Sequence, residues 1–158
     1  MKRKRTPITV GPGQVLRWLT KLEVSESVAR WLDCFGNDRF GVNARAYMWH
    51  VFSYERYPSL SGQAALKQYE QHEAPEFWVV SNERDEGFVT DLLPLSCSLR
   101  DWVVFPANLA WTMAFTHEDG YLGPYFARSA AYTRLNAENQ ALVSKARAAA
   151  RARGMGWS

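Results

Sequence analysis

Leu109-Ala110-Trp111-Thr112-Met113-Ala114-Phe115-Thr116-His117 alternates without a break. Leu109, Trp111, Met113 and Phe115 are large and apolar, and the residues between them are small or polar. Successive side chains of a strand point to opposite faces, so this period of two predicts a half-buried strand. Glu118-Asp119-Gly120 closes it with turn residues, and Tyr125-Phe126 begins or completes a further short strand. Three runs of strand formers precede it: Phe77-Trp78-Val79-Val80, Phe88-Val89-Thr90 and Trp102-Val103-Val104-Phe105, the last stopped by Pro106. Their short connections favour an antiparallel meander.

Upstream the period changes. Pro12 suits the first turn of a helix, and Val15, Leu16, Leu19 and Leu22 fall at i, i+1, i+4 and i+7. Ser25 is a candidate N-cap for a second helix carrying Val28, Trp31, Leu32 and Phe35, ended by Gly36-Asn37-Asp38. A third helix is expected from Val42 to Glu55, apolar on nearly all sides and therefore central. A shorter one follows from Ser61 to Gln71, with Ala65, Leu66 and Tyr69 facing inward. From Ala130 the chain reads as helix again, with Ala131, Leu135, Leu142, Ala146 and Ala149 as its stripe. This order predicts an α+β fold: N-terminal helices, then a mainly antiparallel sheet of three to five strands, then a C-terminal helix packing on it. The helices are expected on one face of the sheet. Residues 1–10 read as a flexible basic arm and 11–158 as a single α+β domain.

The 158 residues are 47% apolar and 22% charged, the balance of a globular domain rather than a disordered chain. No apolar run approaches the roughly 18 residues of a bilayer span, so no membrane contact is expected. Pro7, Gly11, Pro12 and Gly13 interrupt any signal-peptide core after the basic start, which points to the cytoplasm. Cys34 and Cys97 then read as free thiols. The formal charge of +3 is unevenly spread. Residues 1–5 carry four basic side chains, residues 128–158 carry six against Glu138 alone, and the body between holds nine basic and fifteen acidic ones. Basic ends can contact nucleic acid, although solvated helix termini are the plainer account. An acidic body suits a basic protein partner.

Two polar clusters could carry chemistry. Thr116-His117-Glu118-Asp119 offers a base or metal ligands, but His117 and Glu118 point to opposite faces of a strand, and a strand-end hydrogen-bond network is the simpler reading. In Trp49-His50-Val51-Phe52-Ser53-Tyr54-Glu55, His50 and Tyr54 lie one helical turn apart. That pair can move a proton, while a histidine on an apolar helix is ordinarily a hydrogen-bonded core residue. If helix 42–55 packs beside strand 109–117, His50, Tyr54, Glu55, His117 and Glu118 converge on one catalytic or ligand site. No nucleophile elbow, phosphate-cradling glycine loop or paired-cysteine motif occurs, and neither cofactor nor metal is expected.

The second cluster, with Leu60 and Ala64-Ala65, and Asp101-Trp102-Val103-Val104, Trp111-Thr112, Thr116-His117-Glu118 and Gly123-Pro124-Tyr125-Phe126-Ala127-Arg128 resemble a family of small bacterial proteins catalogued as domain of unknown function 4275. The resemblance covers about residues 45–128. It implies a bacterial source and one compact domain, and brings no activity. Leu122 and the region of Ser59 depart from cysteines common in the family, which argues against a metal or redox role depending on them. The expected function is a non-enzymatic protein-interaction module, in one form an immunity-type protein that neutralises a partner. The alternative is an enzyme or small-ligand-binding protein at the five residues above.

Overall fold

Phe77–Ser81 and Trp102–Pro106 lie side by side inside a seven-stranded antiparallel sheet, paired Val79 to Val104 and Val80 to Val103. The computed structural model describes residues 8–36, 48, 50–53, 57–116 and 124–154. Its elements run β1 (Val10–Gly11), β2 (Val15–Trp18), α1 (Lys21–Phe35), α2 (His50–Ser53), β3 (Leu60–Ser61), α3 (Gly62–Glu70), β4 (Phe77–Ser81), β5 (Gly87–Thr90), β6 (Ser96–Cys97), β7 (Trp102–Pro106), β8 (Trp111–Phe115), β9 (Tyr125–Arg128) and α4 (Tyr132–Gly154). The large sheet has the order β2-β5-β4-β7-β8-β9-β3, and β1 pairs with β6 in a separate two-stranded ribbon.

This corrects the expected fold in three respects. The sheet has seven strands rather than three to five, because β3 is a two-residue strand with no readable period and β2 was disguised as a helix. Val15, Leu16, Leu19 and Leu22 meet helical spacing by coincidence. The real helix start is the capping box Thr20-Lys21-Leu22-Glu23, in which the Thr20 side chain accepts from the Glu23 N–H and the Glu23 carboxylate accepts from the Thr20 N–H. The N-terminal part is therefore two strands, α1, the short α2, then β3 and α3, not an unbroken run of helices. Only 50–53 of the expected helix 42–55 are described as helix, with Met48 in a turn and the rest outside the described residues.

The helices also cover both faces, not one. Val24, Val28, Trp31 and Phe35 of α1, with Met48, Val51 and Phe52, bury against Val80, Val103, Phe105 and Ala114. On the opposite face Ala65 and Tyr69 of α3 pack with Val79, Val104, Trp111 and Met113. Strand β7 is consequently buried along its whole length, which is why it reads as a continuous apolar run. The small side of β8 is not a solvent side. Trp31 fills the space above it, and its indole N–H donates to Thr112 Oγ1 at 2.8 Å while that hydroxyl donates to the Val104 carbonyl at 2.9 Å.

The third correction concerns α4. Tyr132 and Leu135 pack on the second core and Asn139 is buried, but Leu142 is 52% exposed and the following turns lie in solvent. Only the start of the C-terminal helix packs on the body. Its alanine-rich remainder is held by intrinsic propensity and by an exposed Arg147–Glu73 ion pair at 2.9 Å. Residues 1–7 of the expected arm lie outside the described residues, and Ile8 and Val10 beyond them are packed against the second core.

Replacing Thr112 by Val keeps its shape but leaves a buried indole N–H unpaired. Urea unfolding is expected to show Thr112→Val about 1–3 kcal/mol less stable than the wild type. In Trp31→Phe the same substitution is expected to cost clearly less. Equal losses in both backgrounds contradict the assignment.

Candidate functional site

Of the five residues singled out from sequence, only the backbone of His50 is described. His50 opens α2. Its side chain, with Tyr54, Glu55, His117 and Glu118, lies outside the described residues. Near them in sequence, Phe52 meets Tyr125 of β9 at a ring separation of 6.0 Å, and the Met48 N–H donates to Asn82 Oδ1 at 2.6 Å. Among the described residues no three His, Cys, Asp or Glu side chains gather as metal ligands.

Sequence reading passed over a third histidine. His72 follows α3 and continues its buried stripe, since Ala65, Tyr69 and His72 stand at i, i+4 and i+7. Its ring lies 4.8 Å from that of Phe126 and 5.3 Å from that of Trp111. Nδ1 contacts the Gln68 carbonyl, an acceptor, so Nδ1 carries the hydrogen. Nε2 then accepts from the Tyr132 hydroxyl at 2.7 Å, and Asn136 Nδ2 donates to that hydroxyl oxygen at 3.3 Å. Burial holds the His72 pKa below its ordinary value, and the positive charge of Arg128 adds to this against the Gln68 hydrogen bond. A neutral imidazole thereby joins α3 to the first turn of α4.

Beside this network Arg128, at the end of β9, lays its guanidinium 4.3 Å from the Tyr132 ring centroid and donates to Gln68 Oε1 at 3.2 Å. The Tyr57 hydroxyl donates to the Arg128 carbonyl at 2.5 Å. Between them opens a cleft of about 550 Å³, walled by Tyr57, Pro58, Leu60, Gln68, Phe126 and Arg128.

The other end of the sheet presents a different surface. Strand β2 is the terminal strand of the order, paired only with β5. Gly13, at φ +91°, turns the chain into it, and a Cβ there would stand 2.6 Å from Asp91 Oδ1. A register shift between Val15 and Arg17 bulges Leu16 outward. Leu16, Trp18 and Leu22 are 50%, 54% and 67% exposed. Trp18 rests edge-on against Phe88 at 5.7 Å, while Arg17 crosses the other face over Trp78 and pairs with Glu23 at 2.8 Å. The Thr20 N–H first, and then Arg17, hold the Glu23 carboxyl below its usual range. Gly87 lets the β4–β5 hairpin approach here, since a Cβ would stand 2.8 Å from Leu19 Cδ1. Glu83 and Asp85 are exposed in that hairpin, and Glu26 is exposed on α1.

Because native His72 resists protonation while the unfolded chain takes up a proton below about pH 6.5, this group's contribution is complete above that value. It is lost as the pH falls toward the depressed native pKa. Thermal unfolding between about pH 7 and pH 5 is expected to show a smaller decline in Tm for His72→Gln than for the wild type. Parallel profiles would remove His72 as the source.

No helix among the described residues is long and apolar enough to cross a membrane. No curated protein and no solved structure matches the chain. A family model, Domain of unknown function (DUF4275), matches residues 33–126. The matched segment runs from the last turn of α1 into β9 and so includes most of the core on both sheet faces, without Val24, Val28 and Trp31 of α1, together with the cleft wall at 57–60 and Gln68. More than half of the chain is matched, and on that ground the protein belongs to the DUF4275 family.

Proposed function

We propose that the protein is a non-enzymatic protein-interaction module whose β2 edge takes up an extended segment of a partner protein. One observation carries this reading: Leu16, Trp18 and Leu22 stand exposed on and beside a terminal sheet strand. An unpaired strand edge offers backbone donors and acceptors for one more strand, and apolar side chains beside it supply the contact that excludes water. Residues 6–127 hold nine basic and fifteen acidic side chains, so a partner segment that is apolar with basic flanks suits this body. An immunity-type role, in which the domain covers the working surface of a basic partner, is the form that this charge suits.

Affinity capture from nuclease-treated lysate of the source cells tests the reading, at low and at moderate salt. The wild type is expected to retain a protein partner at both. Leu16→Lys/Trp18→Lys is expected to lose at least about tenfold of it, as removal of an aromatic anchor does. Leu142→Lys, on the exposed part of α4, is expected to retain it. Equal retention by the β2 variant contradicts the proposal. So does material lost with nuclease and salt, which would transfer binding to the basic ends.

A further inference from the structure

We propose that the cleft at the opposite edge of the sheet binds a small carboxylate with an apolar body. This inference is independent of the β2 reading, because β2 and β3 terminate the two ends of the seven-strand order. At roughly 4.8 Å per strand the two surfaces lie on the order of 29 Å apart.

The volume of about 550 Å³ is that of a small-molecule site. Its chemistry is asymmetric. Tyr57, Pro58 and Leu60 present mainly carbon, and among the described residues Arg128 is the one charged residue in the wall. That guanidinium is oriented but not neutralised. It spends one donor on the neutral Gln68 oxygen, rests on the Tyr132 ring, and has no carboxylate partner among the described residues. Gln68 is itself fixed, since its carbonyl holds His72 and its side chain holds Arg128. The remaining guanidinium donors are available for a planar anion, which a carboxylate matches in shape. A single cation suits a single negative charge, and a dianionic phosphate monoester would call for more than one. The apolar wall accounts for the ligand's body, burying a ring or short alkyl chain against Pro58 and Leu60.

3-Phenylpropanoate is a direct probe, with 3-phenylpropanamide and 3-phenylpropylamine as its neutral and cationic counterparts. Backbone amide chemical shifts of the full chain, titrated to about 10 mM, report the site. The carboxylate is expected to shift amides within 57–60, 68 and 126–128, and to bind at least tenfold more tightly than the amide or the amine. Arg128→Met is expected to weaken the carboxylate about tenfold and leave the amide unchanged. Because Arg128 also braces Tyr132, a second variant is placed on the exposed wall. Leu60→Glu puts a like charge in the cleft, and is expected to abolish carboxylate binding and improve that of the amine. The proposal is overturned if no cleft amide shifts, if acid and amide bind equally, or if Leu60→Glu binds the acid as the wild type does.

Discussion

The hydrogen bond from the Trp31 indole to Thr112, relayed by the Thr112 hydroxyl to Val104, fixes how the two layers of the first core meet. A tryptophan in this position must both fill volume and satisfy a donor. β8 answers both needs by keeping Thr112 and Ala114 small where α1 crosses. Phe35 and Phe52 then lie 5.4 and 5.6 Å from the Trp31 ring, and Tyr57 lies 5.4 Å from Phe35. The same aromatic chain thus runs from the sheet centre to Tyr57, whose hydroxyl closes one wall of the cleft. A shift of α1 on the sheet would be felt there.

With both faces covered, the sheet has only its two edges left to offer. The protein treats them differently. The β3 edge is two residues long, and the chain passes at once into α3, so the edge is blunted and a concave cleft remains, with Arg128 in its wall. The β2 edge is longer and bulged at Leu16. A bulge discourages indiscriminate pairing. Of these two surfaces, β2 lies before the segment matched by the family model, whereas most of the cleft wall lies within it.

Long strands with strong composition were legible in the sequence: Phe77–Ser81, Trp102–Pro106 and Trp111–Phe115 sit where apolar runs and alternation placed them. Two-residue strands were not, because pairing partners rather than local pattern define them. Val15–Trp18 shows how a four-residue amphipathic segment fits either period, and the capping box at Thr20 was the discriminating signal. The Ala-Leu stripe of α4 misled in the opposite sense, since alanine favours helix whether or not anything covers it. Among candidate site residues, His50 follows Trp49 and His117 precedes two carboxylates in sequence, whereas His72 gains its aromatic neighbours Trp111 and Phe126 only through tertiary contact. Its place on the Ala65–Tyr69 stripe was the available clue. Arg128 looked like one of several basic residues near the C-terminus, and its pairing with Gln68 is a contact across 60 positions that no local pattern announces.

The proposed edge recognition rests on the β2 backbone, which side-chain substitution reaches only indirectly. Amide hydrogen exchange of the full chain, free and bound to the captured partner, tests it most directly. The account predicts that the amides of Leu16, Arg17 and Trp18 not already bonded to β5 become strongly protected, with those of α4 from Lys145 to Arg153 unchanged. Protection confined to α4 with β2 unaffected would contradict it.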